Sequence, residues 1–320
     1  MGAVEAADGS LTVSISILVP GGTGQVGHEI AALAGPDVTV SAPGSAGLDV
    51  TDTGAVIEAV ASFVSAARAS GSSPVVINCA AYTAVDKAES DQLRAFAINA
   101  DGPRVLAAAC SSRDVPLLHV STDYVFPGDA DRPYEVDDPT GPPSVYGATK
   151  LAGEDAVLGS GARAWVIRTS WVYGAHGGNF VKTVARLESQ RDTLSVVDDQ
   201  RGSPTWAADL ARGLVELAGR VTGDSPPRGR VLHATGTGET NWHLFARAVF
   251  EELGADPARI GPCSTSDYPS PAKRPAYSVL SNSAWLAEGL TPLPAWREAL
   301  ASAFAGDRAS FLPQGTRSAV

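Results

Sequence analysis

The chain runs to 320 residues, enough at about 150 residues per domain for two domains or one large α/β unit with an appendage. Hydrophobic residues make up 44% and charged residues 18%, which excludes a disordered or fibrous chain and leaves a globular one with a sizeable core. The balance of 24 basic against 35 acidic residues, a net charge of −11, argues against nucleic acid or an anionic membrane as partner, so any phosphate must be held locally.

The opening residues contain Glu5 and Asp8 and lack a basic region, and the apolar run at 11–19 is too short for a signal or a membrane span. The expectation is a cytoplasmic protein with a loose tail at 1–11. Residues 13–19 are rich in β-branched side chains and stop at Pro20-Gly21-Gly22, so they read as a buried strand ending in a glycine turn. A helix is expected at 24–33, a strand at 38–41, a helix at 53–68 and a strand at 75–79. Next come a long helix at 91–112, a strand at 117–121, a helix at 146–158 and a strand at 164–169. This alternation implies an α/β fold, a Rossmann-type doubly wound parallel sheet whose ligand crevice lies beyond the carboxyl ends of the strands.

After Ser170 the rhythm loosens at Gly177-Gly178, Pro204, Pro226-Pro227 and the prolines between 269 and 275. Helical stretches at 206–218, 241–253 and 295–304 suggest a smaller C-terminal substrate-binding lobe over the open end of the sheet. The division is therefore 12–170 for the nucleotide-binding domain and 171–305 for the lobe, some of whose elements can return to the sheet. Residues 306–320 read as a second tail.

The three cysteines, Cys79, Cys110 and Cys263, match neither a CxxC pair nor a disulfide framework and read as buried thiols of a reducing compartment. The five histidines, His28, His119, His176, His233 and His243, form no HxxxH, so no metal is expected.

Gly21, Gly24 and Gly27 form GxxGxxG directly after the first strand and open a helix. Such glycines allow a tight turn, let the backbone approach a pyrophosphate and point a helix N-terminus at the anion. With 33 glycines in the chain, chance supplies roughly 0.3 such patterns, so placement carries the signal rather than the pattern. An acidic residue after the second strand would favour NAD and an arginine NADP. Ser41-Ala42-Pro43-Gly44 offers neither, while Asp49 and Val50 a little further on are candidates for the adenine edge or a plain acidic turn.

Tyr146 and Lys150 are four residues apart at a predicted helix start, on one face. Reducing a carbonyl by hydride leaves charge on oxygen that needs a proton, and a tyrosine beside a cation can supply it, so Lys150 is expected to lower the pKa of Tyr146. Thr122, at the end of an earlier strand, is placed to polarise the carbonyl. With four lysines and seven tyrosines in the chain, chance YxxxK pairs number roughly 0.1. The alternative is a surface helix pair of little energetic weight.

Several stretches together resemble the extended short-chain dehydrogenase/reductases and, within them, the dTDP-4-dehydrorhamnose reductase family. They are Gly21 to Gly27, the run Asn78-Cys79-Ala80-Ala81-Tyr82-Thr83-Ala84-Val85-Asp86-Lys87-Ala88-Glu89, Ser121-Thr122-Asp123-Tyr124-Val125-Phe126 and Tyr146-Gly147-Ala148-Thr149-Lys150. Further on come Arg168-Thr169-Ser170-Trp171, Asn179-Phe180-Val181 and Gln200-Arg201-Gly202-Ser203-Pro204-Thr205. The likeness spans about residues 13–305.

The resemblance implies reduction of the C4 ketone of dTDP-4-dehydro-β-L-rhamnose, a dTDP-4-keto-6-deoxysugar, by NADPH, with NADH as the alternative. Thr122, Tyr146 and Lys150 would be the catalytic triad and Asn99 the helix asparagine that supports the lysine. Gly21, Gly24, Gln25, Val26, Asp49, Val50, Ala80, Ala81 and Tyr82 would hold the cofactor with Tyr146 and Lys150. Thr122, Asp123, Tyr124, Trp171, Asn179, Gln200 and Thr205 would contact substrate, Trp171 being equally a core aromatic. Lys182, Arg201 and Arg274 are scattered cations for the sugar nucleotide. The family implies a monomer or a homodimer; some members dimerise through a magnesium site of glutamates, to which no residue of this chain is assigned.

Related 4,6-dehydratases place an aspartate and then a glutamate after the threonine, to remove water by an acid and a base. Here Tyr124 follows Asp123, which leaves simple carbonyl reduction. The rival readings are a tailoring reductase similar to dihydrostreptose synthase, a non-catalytic NADP-binding regulatory subunit such as the family also contains, and, more weakly, an epimerase.

Overall fold

The structure, a computed structural model, describes residues 14–313. The tail expected at 1–11 and the last residues of the one expected at 306–320 lie outside the described residues. The first half alternates as expected. β1 (Ile15–Leu18) leads through the glycine turn into α1 (Gln25–Ala32), followed by β2 (Val38–Ser41), α2 (Thr53–Ala69) and β3 (Ser73–Asn78). Asp52 caps α2 by accepting from the Ala55 N–H, and Val56, Val60, Val64 and Ala67 form its buried stripe at helical spacing.

The single helix expected at 91–112 is broken. After a short α3 (Val85–Ala88) come α4 (Gln92–Phe96), a π-helical turn at Ala97–Asp101 and α5 (Gly102–Ser111). Pro103, in the first turn of α5, has no N–H to return to the Asn99 carbonyl four residues back, so the ladder widens there. β4 (Leu117–Thr122), α6 (Val145–Leu158) and β5 (Ala164–Thr169) complete this half.

The second half contains β6 (Val172–Tyr173), α7 (Phe180–Glu188), β7 (Leu194–Val197), β8 (Arg201–Gly202), β9 (Thr205–Trp206) and α8 (Ala207–Thr222). It continues through β10 (Val231–His233), β11 (Thr240–Asn241), α9 (Trp242–Leu253), β12 (Ile260–Cys263), α10 (Ser283–Ala287) and α11 (Trp296–Phe311). The central sheet has six strands in the order β10-β5-β4-β3-β1-β2, and every pair in it is parallel. β10 thus returns to the sheet beside β5.

α8, expected in the lobe, packs instead on the sheet. Leu210, Leu214, Leu217 and Val221 form one apolar stripe that joins Ile15, Ile17 and Ile30 in a common core. α9 and α11 build a separate core of Phe245, Val249, Phe250, Leu300 and Phe304. α11 runs past the expected stop at 304: Asp307 leaves the helical region, but Phe311 folds back to stack on Phe304 with ring centroids 4.9 Å apart. No described helix is long and apolar enough to cross a membrane.

Candidate active site

The glycine turn sits where β1, β2 and β3 end. Gly21 has φ +83°, and a Cβ there would lie 2.5 Å from the Ala80 nitrogen; one on Gly22 would lie 2.1 Å from the Ala42 oxygen. Only glycine fits at both positions. Gly24 caps α1 without a side chain, and no acidic residue stands in the first turn. The first N–H groups of α1 therefore remain available to an anion, and the cradle fits a dinucleotide pyrophosphate.

Around it, Val26 packs partly buried on the sheet core. The Ala80 N–H donates to Asn78 Oδ1 at 3.1 Å, and Ala81 follows it at the carboxyl end of β3. Asp49 is exposed and accepts from the Thr51 N–H at 2.9 Å and hydroxyl at 2.7 Å, which hold its carboxyl below the usual range. Val50 is buried against Gly102.

Thr122 ends β4, and Tyr146 and Lys150 lie in the first turns of α6, whose N-cap Ser144 accepts from the Gly147 N–H. All three side chains are buried. The Thr122 hydroxyl lies against the Tyr146 phenol, donates to Asp123 Oδ1 at 2.9 Å and accepts from the Tyr124 N–H at 3.3 Å. Burial raises the Tyr146 pKa well above the usual range, and the Thr122 contact opposes this only in part.

The expected lowering of Tyr146 by Lys150 is not what the geometry produces. The Lys150 ammonium donates to the Val120 carbonyl at 2.7 Å, and the charges that act on Tyr146 are those of Asp123 and Tyr124, which raise it further. Lys150 itself is brought down to about 8 by burial, against the opposing pull of Glu154 and Cys79.

Asn99, in the π-helical turn, does not reach Lys150 directly. Its side chain accepts from the Tyr82 N–H at 2.8 Å and donates to the Tyr82 carbonyl at 3.1 Å and the Thr149 hydroxyl at 3.0 Å. It fixes the Tyr82 backbone to α6. Gly153 allows this approach, since a Cβ there would lie 2.1 Å from the Asn99 oxygen.

Asp123 is buried, and burial pushes its carboxyl up to about 6 against the opposing influence of the nearby Ser278 and Thr122 hydroxyls. Its Oδ2 has no partner. Tyr124 meets Tyr146 edge-on, with centroids 5.6 Å apart.

Three contacts around this group escape a reading of the sequence. Glu89 accepts from the Val145 N–H at 3.0 Å and so caps α6 from 56 positions upstream. Asp86 accepts from Arg274 at 2.7 Å and from the Ala272 N–H at 3.2 Å. Ser278, from the same later segment, faces Asp123. The one available signal was the Asp86-Lys87-Ala88-Glu89 run, whose carboxylates stand three apart.

The residues expected to seat the nucleotide end of a substrate are engaged elsewhere. Thr205 is fully buried and bonds only to the backbone, accepting from the Gly236 N–H at 3.1 Å. Gln200 donates to the Thr265 hydroxyl at 2.9 Å. Asn179 caps α7 and donates to the Gly174 carbonyl at 2.8 Å and to Gln25 Oε1 at 2.9 Å, tying the lobe to the glycine turn. Lys182 bonds to the Ala175 carbonyl and Arg201 pairs with Glu239.

Trp171 is half-buried, has φ +48° and stacks on Trp242 at 3.5 Å. A left-handed backbone at a bulky residue is unusual and marks a constrained position. Of the cysteines expected to be buried, Cys110 is, whereas Cys79 and Cys263 are half-buried.

A parallel Rossmann-type sheet carrying a glycine turn, a strand-end threonine and a Tyr-xxx-Lys helix start defines an extended short-chain dehydrogenase/reductase. The chain belongs to the RmlD substrate binding domain family, whose model matches residues 15–308. A dTDP-4-dehydrorhamnose reductase of Streptomyces griseus is 49% identical over 289 residues, covering 90% of this chain and 92% of its own. A probable dTDP-4,6-dihydroxy-2-methyloxan-3-one 4-ketoreductase of Streptomyces antibioticus is 45% identical, covering 90% and 94%. Among solved structures, a dTDP-4-dehydrorhamnose reductase from Bacillus anthracis in complex with NADP aligns with a TM-score of 0.84 at 33% identity, covering 92% of this chain and 99% of that one.

Proposed function

We propose that this protein reduces the C4 ketone of dTDP-4-dehydro-β-L-rhamnose to the hydroxyl of dTDP-L-rhamnose with NADPH, NADH being the alternative donor. The observation that carries this reading is the Thr122–Tyr146–Lys150 group beside a glycine cradle, in a chain 49% identical to a reductase of that name.

The cofactor, when bound, supplies the hydride. The chain supplies the rest. Tyr146, kept protonated by burial, donates its phenolic proton to the carbonyl oxygen as charge develops there. Thr122 orients that oxygen, and Lys150, anchored on the Val120 carbonyl, places a positive charge near the nicotinamide end. Asp123 and Tyr124 accept sugar hydroxyls. Gly21, Gly24 and the first turn of α1 hold the pyrophosphate. No glutamate follows Asp123, so the acid–base pair that dehydration needs is missing from this position.

The protein acts in the cytoplasm as a monomer or homodimer. The 45% identity to a 4-ketoreductase with a different named substrate favours one second reading, a tailoring enzyme for another dTDP-4-ketosugar. A panel of dTDP-4-ketosugars with NADPH, with products read by NMR, separates the two. Turnover of the rhamnose precursor above the others supports the first reading. Exclusive turnover of another ketosugar supports the second, and no cofactor consumption with any of them rejects both.

A further inference from the structure

We propose that Asp86 and Arg274 form a positioning pair for Tyr146, acting through Tyr124, which makes them determinants of turnover rather than substrate contacts. The inference rests on the reductase reading for its kinetic part only. Arg274 belongs to a late segment that grips the loop after Tyr124. Pro275 lies against Gly128, which has φ +86° and where a Cβ would lie 2.4 Å from that of Pro275, and the Tyr277 N–H donates to the Gly128 carbonyl at 3.0 Å. The Arg274 guanidinium faces the Tyr124 phenol.

Tyr124 in turn meets Tyr146 edge-on, and its carbonyl packs on Gly147, where a Cβ would lie 2.2 Å away. The Asp86 carboxylate holds Arg274 at 2.7 Å and the Ala272 N–H at 3.2 Å. Three residues on, Glu89 caps α6 at Val145. The α3 turn thus links the late segment and the catalytic helix. Arg274 is 22% and Asp86 45% exposed, so the pair is only partly buried, and the urea midpoint of each variant separates a loss of fold from a loss of positioning.

The test is the set Asp86→Ala, Arg274→Ala, their double variant and Arg274→Lys. Each alanine variant is expected to lose about ten- to a hundredfold in kcat, because small displacements of a reacting group cost that much, with cofactor Kd unchanged and the sugar KM, which Tyr124 also governs, altered less than kcat. The double variant falls no further than the worse single, and Arg274→Lys recovers part of the loss. Amide exchange, measured without substrate, accelerates at 123–128 and 144–148 to the same extent in both single variants. Unchanged exchange, additive losses, or a change confined to KM overturns the pair as a positioning device. If the unaltered protein turns over no ketosugar, the functional reading fails and exchange alone decides on the pair.

Discussion

The Lys150 ammonium donates to the Val120 carbonyl at 2.7 Å, two residues before Thr122, and not to Tyr146 four residues away on its own helix. The lysine is thereby tied to the carboxyl end of β4, inside the sheet, while the tyrosine keeps its proton through burial. In the proposed reaction the two members of the motif therefore have separate tasks: one stores a proton and the other a charge.

Tyr146→Phe removes only the proton store. It should lower kcat by about 10²–10⁴ and leave the cofactor dissociation constant unchanged, as measured by fluorescence titration. Full activity in this variant would place the proton donor elsewhere.

Lys150 loses its charge as pH rises through about 8, so activity should decline above that pH while the charged form persists below it. The pH profile of kcat/KM checks this. Lys150→Met should be less active throughout and lack that limb, and it also leaves the Val120 carbonyl without its donor.

Asp123 has a folded-state pKa raised from 3.8 to about 6 by burial. Between those values the folded protein binds more protons than the unfolded chain, so stability declines as pH rises across the window, by up to about 3 kcal/mol. Denaturant midpoints between pH 4 and 6.5 should show this slope, and Asp123→Asn should flatten it. A slope that survives the substitution assigns the effect to another group.

Arg168 and Glu154 form a buried pair at 2.7 Å, from β5 to α6. Arg168→Met leaves Glu154 without its counter-charge and should cost about 3–5 kcal/mol, whereas adding Glu154→Leu should restore much of that loss. Urea denaturation of these two variants beside the unaltered protein checks it.

What could be read from the sequence was local. The first strand and its glycine turn need only a run of β-branched residues and a glycine spacing, and Tyr146 and Lys150 share a face because they are four apart. What could not be read depends on which distant partner a polar group meets. Asn179 is 154 positions from the Gln25 it bonds, and nothing in its own neighbourhood distinguishes a strut from a ligand contact. Thr205 likewise looks free until the fold closes Gly236 over it.

The broken helix at Ala97–Asp101 had a visible cause in Pro103, but its consequence, an Asn99 side chain clamped to Tyr82 and Thr149, appears only when α6 is in place. α8 carried a readable stripe without any sign that its partner was the sheet rather than the lobe.

Transfer of label from cofactor to sugar tests the central claim most directly. With NADPH deuterated at the nicotinamide C4 and dTDP-4-dehydro-β-L-rhamnose as substrate, the deuterium should appear at C4 of the dTDP-L-rhamnose product, one per cofactor oxidised. Cofactor left unoxidised, or label absent from C4, would contradict the assignment of this protein as a C4-ketone reductase.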